Sequence, residues 1–258
     1  MGSFSRRQFK GIEVVRVEDD ARGFAPHFHD EFVLSVNVRG LESITLDKQS
    51  FDAAAGDVTL YNPAQIQSSR VVSEPWQFVS MYVDPTVLPE LAGVSAETVF
   101  DKPLLRAPLF AARMHGAIRS ALDRATPDGV ALEGLTQIFG DLLKLAGASH
   151  AADTRCVPAA VGRIAERLRD DPVLPSLTDL ASDAGLTPVQ LVRAFSRPYG
   201  MPPLAWSWNL RVSQARARIA RGDSISAVAM DLGFSDQSHL TRRFRALFGV
   251  PPSQWRKG

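Results

Sequence analysis

The chain has 258 residues, of which 45% are hydrophobic and 22% are charged, a balance typical of a soluble globular protein with one large domain or two ordinary ones. Its apolar runs are short and broken by charge, and no apolar stretch follows the two N-terminal arginines, so we expect neither a membrane-spanning helix nor a signal peptide. A single cysteine, Cys156, excludes an internal disulfide, and these features together favour a cytoplasmic protein.

The net charge of +1 conceals two unlike parts of the chain. Residues 1–155 contain 15 basic and 20 acidic side chains, whereas residues 156–258 contain 14 basic and 8 acidic side chains. The C-terminal part is therefore strongly basic, which predicts a polyanionic partner for that part alone.

The first hundred residues have the pattern of short β-strands. Four segments are rich in β-branched and aromatic residues and stop at turn residues, namely 32–38 (ending at Arg39-Gly40), 43–46, 58–61 and 76–83. Short strands at this spacing predict a β-sandwich or barrel.

Two amphipathic helices are predicted next, over 105–122 and 132–145, because apolar residues recur there at helical spacing. They either close the core of the barrel or form an antiparallel hairpin that pairs with a second subunit. Their many leucine, isoleucine and phenylalanine side chains favour the hairpin and therefore a homodimer. Residues 148–158 are small and polar and predict a linker between a domain over 1–147 and a second domain over 159–258.

The C-terminal domain contains an internal repeat, first at an offset of 48 residues and then of 49. The matching pairs include Ala181 with Ala229, Gly185 with Gly233, Leu191 with Leu240, Phe195 with Phe244, and Trp206 with Trp255.

Each copy has the pattern of a helix-turn-helix. In the first copy a short apolar helix ends at Gly185, Thr187 is placed to cap the next helix, and Pro188 occupies its first position. In the second copy Gly233 provides the turn and Ser235 is the expected cap. The second helix of such a unit lies in the DNA major groove.

The candidate DNA contacts are the outward residues of the two second helices. They are Val189, Gln190, Val192 and Arg193 in the first copy, and Gln237, Ser238, Thr241, Arg242 and His239 in the second, although His239 adjoins the apolar stripe.

Residues 177–256 resemble the DNA-binding domain of the AraC/XylS family. The likeness is densest in Ile225-x-x-Val228-Ala229-x-x-Leu232-Gly233-Phe234-Ser235-Asp236-Gln237-Ser238-His239-Leu240-x-Arg242-x-Phe244. The resemblance implies seven helices, with two recognition helices held apart by a long helix over 203–221. Pro198 departs from an uninterrupted helical pattern, and we expect it to shorten the first recognition helix.

The N-terminal part resembles the cupin-like effector domain of the same family, on His27-Phe28-His29 and on Gly56-Asp57-Val58-x-Leu60-x-Asn62-Pro63. His27 and His29 would share one face of a strand, as two metal ligands must. The positions of the remaining ligands hold Val33 or Leu34 and Gln67, so we expect no metal and no cofactor.

The resemblance also implies an effector pocket inside the barrel. Its candidate residues are His27, His29, Arg39, Ser69, Phe78 and Ser80. Ser80 stands where sugar-responsive members stack an aromatic ring on the sugar, so a sugar is not favoured. Arg39 suits an effector carboxylate, unless it is a surface arginine before a turn.

The sequence thus predicts an α+β two-domain protein, a cupin-like β-barrel with a helical hairpin followed by an all-α domain with two helix-turn-helix motifs. Its predicted function is that of a sequence-specific transcriptional regulator, and not of an enzyme, since no catalytic motif is present. The expected partners are double-stranded operator DNA, a small-molecule effector, RNA polymerase and a second copy of the chain, without a membrane. The alternatives are a constitutive DNA-binding protein and a metal-dependent cupin enzyme with a DNA-binding tail.

Overall fold

The computed structural model describes residues 3–18, 23–47, 49–150 and 157–257. They form two compact units, one within 3–150 and the other within 157–257. The first unit combines a sheet with two long helices and the second contains only helices, which confirms the predicted fold class. Cys156 and most of the predicted linker lie outside the described residues. None of the described helices is both long and apolar enough to cross a bilayer.

The N-terminal unit is built on an antiparallel sheet. Its strands are β1 (Phe4–Phe9), β2 (Ile12–Glu18), β3 (Phe32–Leu46), β4 (Gln49–Ala54), β5 (Val58–Tyr61), β6 (Gln67–Val83) and β8 (Leu104–Leu105). They lie in the order β1-β2-β6-β3-β5-β8, and β4 pairs with the second half of β3. A separate pair is formed by β7 (Thr98–Phe100) and β9 (Ala148–His150).

The two longest strands continue through positions where we expected strand ends. Segments 32–38 and 43–46 are the two halves of β3, and segment 76–83 is the second half of β6. The pairing of β3 with β6 shifts register between Asn37 and Leu41, so the turn residues produce a bulge instead of a chain reversal. Gly40 has a φ of 86°, and a Cβ there would lie 2.7 Å from the Ser73 carbonyl oxygen, which explains the glycine.

Besides a short 3-10 helix (Pro85–Val87), the described part of this unit contains α1 (Leu88–Ala92), α2 (Pro108–Leu122) and α3 (Asp128–Ala146). Met114, Ile118, Leu135, Phe139 and Leu142 are all buried in one core with the sheet. The helices therefore close the core, as the first of the two alternatives held. Most of the large apolar side chains that suggested a second subunit are buried in this core, and the exposed exceptions are Leu109, Val130 and Leu145.

The turn between α2 and α3 is fastened to the sheet by Arg7 of β1. Its guanidinium donates to the carbonyl oxygens of Ala121, Asp123 and Thr126, and it pairs with the Asp128 carboxylate. The far end of α3 leads into β9, so the first three residues of the predicted linker, 148–150, form a strand in the N-terminal unit.

The C-terminal unit has the seven helices that the resemblance implied. They are α4 (Ala159–Asp170), α5 (Leu177–Asp183), α6 (Pro188–Tyr199), α7 (Pro203–Ala220), α8 (Ile225–Asp231), α9 (Gln237–Phe248) and α10 (Pro252–Lys257). The long α7 has 18 residues, which corresponds to about 27 Å. The expected shortening at Pro198 is wrong, because α6 and α9 both have 12 residues. Pro198 lies in the last turn, where a missing N–H removes little.

The repeat seen in the sequence recurs in the packing. Phe195 meets Trp206 edge to face with ring centroids 5.7 Å apart, and Phe244 meets Trp255 in the same way at 5.8 Å. Ala181 and Ala229 are both buried, and their small side chains allow the two helices of each copy to approach closely. The two copies thus have the same arrangement of buried side chains.

Candidate nucleic-acid interface and effector site

The first helix-turn-helix consists of α5 and α6. Gly185 has a φ of 66°, and the Leu186 amide donates to the Ala181 carbonyl at 2.9 Å, which closes the end of α5. Thr187 and Gln190 form the predicted reciprocal capping box at the start of α6. The turn and the cap together fix the direction in which α6 leaves α5.

The second helix-turn-helix consists of α8 and α9 and repeats these contacts. Gly233 has a φ of 74°, and the Phe234 amide donates to the Ala229 carbonyl at 2.9 Å. The predicted cap, Ser235, is wrong by one residue. Asp236 has the extended conformation of an N-cap, and its carboxylate accepts from the His239 amide at 2.6 Å. That backbone hydrogen bond holds the pKa of Asp236 below its usual value.

Most of the predicted DNA contacts lie on the accessible side of the two recognition helices, α6 and α9. Val189, Gln190, Arg193, Gln237, Ser238 and Arg242 are exposed, while Val192 and Thr241 are half-buried. Two further arginines of α9, Arg243 and Arg245, are also exposed. The first recognition helix, α6, exposes only two arginines, Arg193 and Arg197, so α9 has the higher density of positive charge.

His239 differs from the other predicted contacts because its ring packs within the protein. It lies 4.8 Å from the Trp208 ring and 5.4 Å from the Phe234 ring. Its Nδ1 faces the Ser235 hydroxyl at 3.3 Å, and its Nε2 accepts from Arg243 Nε at 3.4 Å. Burial lowers the pKa of His239, and Arg243 and Arg242 lower it further. These contacts hold the first turn of α9 against Trp208 and Phe234.

Sequence reasoning missed Arg211, a buried arginine of the central helix α7. Its guanidinium donates to the carbonyl oxygens of Asp171, Pro172 and Leu232 at 2.7 to 2.9 Å. Leu232 ends α8, so Arg211 ties the turn of the second helix-turn-helix to α7 and to the segment after α4. The sequence carries no clear signal of this role, because the helix stripe around Arg211 mixes apolar residues with Ser207 and Gln214.

The face of the sheet turned away from the helices, here called the inner face, carries many polar side chains. Aligned strand partners place Arg6, Val15, Ser80, Ser35 and Thr59 in one row across five strands. The Ser35 and Ser80 hydroxyls are 2.7 Å apart, and Arg6 forms a buried ion pair with Glu13. A polar, buried surface of this kind is suited to an organic ligand with hydrogen-bonding groups.

Five of the six predicted effector residues lie on or beside this face. His27, His29, Phe78 and Ser80 are buried and Ser69 is half-buried. The prediction that Arg39 lines the pocket is wrong, because its side chain is exposed at the β3 bulge, as a surface arginine would be. The bulge exchanges the faces of β3, so Glu42, which unbroken alternation from Ser35 would place on the opposite face, is buried on this one.

The two histidines are arranged for packing. His27 Nδ1 donates to the Ala25 carbonyl at 2.7 Å, and its Nε2 accepts from Gln67 at 3.2 Å. Burial lowers the pKa of His27 to about 4, so the ring is neutral at pH 7. The His29 ring lies edge-on between His27 and Tyr82. Among the described residues, no three histidine, cysteine, aspartate or glutamate side chains cluster as metal ligands.

Other ionisable groups of the inner face are also perturbed by burial. Burial raises the pKa of Glu42 to about 7, against a hydrogen bond with Ser69 that lowers it. Burial and the charge of Glu42 raise the pKa of Tyr61, and burial and the charge of Glu13 raise that of Tyr82. Perturbed ionisable groups on a concealed face often mark a ligand site.

Comparison with known proteins agrees with this two-part organisation. A family model described as an AraC-like ligand binding domain matches residues 9–154, and a helix-turn-helix domain model matches residues 180–258. The chain is 25% identical over 256 residues to the arabinose operon regulatory protein of Salmonella typhimurium, covering 93% of this chain and 90% of that protein. It is also 25% identical over 240 residues to the HTH-type transcriptional regulator YbfI of Bacillus subtilis, covering 89% and 86%.

Solved structures share the fold over nearly the whole chain. A crystal structure of ToxT from Vibrio cholerae has a TM-score of 0.59 at 14% identity and covers 96% of this chain and 98% of that one. ToxT with a bound unsaturated fatty acid has a TM-score of 0.57 at 15% identity and covers 99% and 96%.

An N-terminal ligand-binding domain followed by two helix-turn-helix units defines a ligand-responsive transcriptional regulator. The ligand-binding model alone covers more than half of the chain, and the chain belongs to the AraC family.

Proposed function

We propose that the unit within residues 157–257 binds operator DNA with α6 and α9 in successive major grooves, under the control of an effector bound to the N-terminal domain. The observation that carries the proposal is the double helix-turn-helix, with matching turns, capped recognition helices and exposed arginines. Successive grooves on one face of B-DNA are about 34 Å apart. The central helix α7, about 27 Å long, packs against both recognition helices, since Trp206 meets Phe195 of α6 and Trp208 meets His239 of α9, and it therefore holds them on one support.

The proposed domains are the effector-binding and dimerisation domain at 1–147 and the DNA-binding domain at 159–258. Within the second, we assign base contacts to the exposed residues at the start and middle of α6 and α9. These are Val189, Gln190, Arg193, Gln237, Ser238 and Arg242, with Val192 and Thr241 beside them. His239 is assigned a supporting role, because its ring and both its nitrogens are engaged within the protein.

The experiment that tests DNA binding is selection of genomic fragments by the full chain, followed by affinity measurements at several salt concentrations. Specific fragments should bind roughly 10³-fold or more tightly than random duplex, with affinity falling as salt rises. A chain with both Arg193 and Arg242 changed to alanine is the matched control and should lose most of that preference. Equal affinity of the unaltered chain for selected and random DNA would refute sequence-specific regulation.

Control by an effector is the second part of the proposal, and the constitutive regulator is its alternative. The buried polar inner face favours a ligand, because a domain used only for dimerisation has no need to conceal Glu42 and Ser80. A compound that both raises the melting temperature and changes operator affinity would support effector control. Compounds that stabilise the protein without changing operator affinity would favour the constitutive alternative.

We retain a homodimer as a proposal, but on a different surface of the helices from the one that the sequence indicated. Ile118 and Leu142 are buried in the core, so aspartate there would unfold the domain. Leu109 and Val130 are 85% and 58% exposed on α2 and α3 and are the better probes. Sedimentation should show a dimer of the 28.1 kDa chain that Leu109→Asp converts to a folded monomer. A monomer at all concentrations would rule the dimer out.

We further propose that the protein regulates transcription without catalysing a reaction, in the cytoplasm of a bacterium and in contact with RNA polymerase. Its full-length relatives described above are bacterial transcriptional regulators, which supports this assignment. Transcription in vitro from a selected operator, with and without the protein, tests both the contact with polymerase and the sign of regulation.

A further inference from the structure

Glu42 is a buried carboxyl group on the inner face of the sheet. It lies on β3 between Ala53 of β4 and Val71 of β6, and it is hydrogen-bonded to Ser69. Within the described part of the chain, no lysine or arginine forms an ion pair with Glu42. The other buried acid of this face, Glu13, has Arg6 as its partner. The inner face therefore carries one acid that the described residues do not neutralise.

Two buried polar atoms without a hydrogen-bond partner lie near Ala53 and Val71, the residues that pair with Glu42 in the sheet. The Asn37 amide donates through Nδ2 to the carbonyl oxygens of Gly40 and Ala53, which leaves its buried Oδ1 as an acceptor without a partner. Trp76 belongs with Val17 and Phe78 to a small core against which Val71 packs, and its buried Nε1 donor has no partner. Buried polar atoms are nearly always satisfied in folded proteins, so each of these two atoms offers a hydrogen-bonding position to a bound ligand or water.

Aromatic rings line the same region. Trp76 lies 4.6 Å from Phe78 between ring centroids, and Phe24 meets both rings edge to face. Tyr61 lies near enough for the charge of Glu42 to raise the pKa of its phenol. Aromatic faces attract cations and exclude water from a charged pair.

We propose that the effector is a small organic amine whose protonated nitrogen binds Glu42 and the Asn37 amide oxygen, and whose acceptor oxygen receives the Trp76 indole N–H. This inference rests on the proposed function, in which the N-terminal domain binds the effector. An ammonium group has several N–H donors, so it satisfies two acceptors at once and also neutralises the buried carboxylate.

The competing effector classes fit this surface less well. A carboxylate ligand, which we expected when Arg39 was placed in the pocket, would bring a second negative charge next to Glu42. A neutral polyol would leave the carboxylate without a counter-charge. Without a ligand, burial already disfavours ionisation and raises the pKa of Glu42 to about 7, and a bound cation would reverse that effect.

The test uses two sets of compounds, each with an amine, a neutral alcohol and an acid of one parent skeleton. The first set is tyramine, tyrosol and 4-hydroxyphenylacetate, whose phenol oxygen can accept the Trp76 N–H, and the second is glucosamine, glucose and glucuronate. Each is added to the full chain at up to about 10 mM, and the melting temperature of the chain is followed by calorimetry. At ten times its dissociation constant, a ligand should raise the melting temperature by roughly 2–5 °C.

We expect the amine of at least one set to stabilise the protein more than its alcohol and its acid. Glu42→Gln keeps the size and hydrogen-bonding capacity of the side chain but removes the charge, and it should abolish the response to the amine. Glu74→Gln, an identical change at an exposed position of β6, should leave the response intact. A larger shift with an acid, no shift with either amine, or an undiminished amine response in Glu42→Gln would overturn the inference.

Operator binding separates this inference from the proposed function. If acids or neutral compounds stabilise the chain and alter its operator affinity, the proposal of an effector-controlled regulator stands and the proposal of an amine effector is refuted. If an amine binds through Glu42 but the chain shows no preference for any genomic fragment, the proposal of an amine site stands and the proposal of sequence-specific regulation is refuted.

Discussion

The two helix-turn-helix copies share one scaffold and differ in how that scaffold is held. Both have a glycine turn with positive φ, a buried alanine, and a phenylalanine packed on a tryptophan. The turn of the second copy is tied to α7 by Arg211, whereas a Cβ at Gly185 of the first copy would meet nothing within 4 Å. The difference indicates that duplication preserved the recognition geometry, while the second copy is fixed more firmly to the central helix.

The exposed faces of the two copies differ in a matching way. The second recognition helix exposes three arginines, Arg242, Arg243 and Arg245, and the first exposes Arg193, Arg197 and the apolar Val189. More charge on the firmly held copy suggests that α9 contributes more to affinity, and that α6 contributes shape and apolar contacts to bases.

The largest expected effect is that of Arg211→Ala. Removing the guanidinium leaves the partly buried carbonyl oxygens of Asp171, Pro172 and Leu232 without this charged donor, which should cost about 3–5 kcal/mol of unfolding free energy. Urea denaturation followed by tryptophan fluorescence measures this loss. Arg218→Ala is the matched control on α7, because Arg218 pairs with Asp223 and Asp231 near the surface and should contribute at most about 1 kcal/mol. Equal losses would remove the special role of Arg211.

Next is the effect of arginine removal on DNA binding. Arg242→Ala should weaken binding to a selected operator by about 1–3 kcal/mol if Arg242 contacts a base edge. Arg193→Ala, the corresponding change in α6, should cost less, because its helix exposes fewer arginines. Fluorescence anisotropy on operator and random duplex measures both. Equal weakening of Arg242→Ala on the two DNAs would show a phosphate contact, and a larger loss for Arg193→Ala would reverse the comparison.

The two turn glycines give a smaller and cleaner contrast. Gly185→Ala should lower the free energy of unfolding by about 1 kcal/mol, because the only cost is the positive φ at this position. At Gly233 the added Cβ would also lie 3.0 Å from Arg211 Nη1 and 3.3 Å from the Pro172 carbonyl, so we expect roughly 1 kcal/mol more. Urea denaturation of Gly185→Ala and Gly233→Ala measures the difference. Identical losses would mean that Arg211 moves away without cost.

How far the sequence predicts this molecule differs between the two units. The helix-turn-helix copies were predicted in detail because local signals, such as Thr187 with Gln190 and the glycine turns, fix local geometry. Strands β1 and β2 were missed, and β3 was divided at Gly40, because sheet pairing depends on partners far along the chain. The displacement of Arg39 from the pocket and the burial of Glu42 follow from that bulge, since one shift of register exchanges the faces of a strand.

The smallest expected effect concerns the caps of the two recognition helices. Thr187 caps α6 with an uncharged hydroxyl, so Thr187→Ala should lower the free energy of unfolding by about 0.5–2 kcal/mol at every pH.

Asp236 caps α9 with a carboxylate whose pKa is lowered by its backbone hydrogen bond. A lowered pKa in the folded state means that the charge stabilises the protein above the ordinary value near 3.8 and that this stabilisation is lost as the pH falls through the lowered value. The melting temperatures of the unaltered chain and Asp236→Asn should therefore differ slightly at pH 6, and the difference should shrink as the pH falls below about 4 and vanish below the lowered pKa. The deficit of Thr187→Ala should persist over the same range. A constant difference for Asp236→Asn would show that the carboxylate caps α9 by geometry alone, so that the two caps act in the same way.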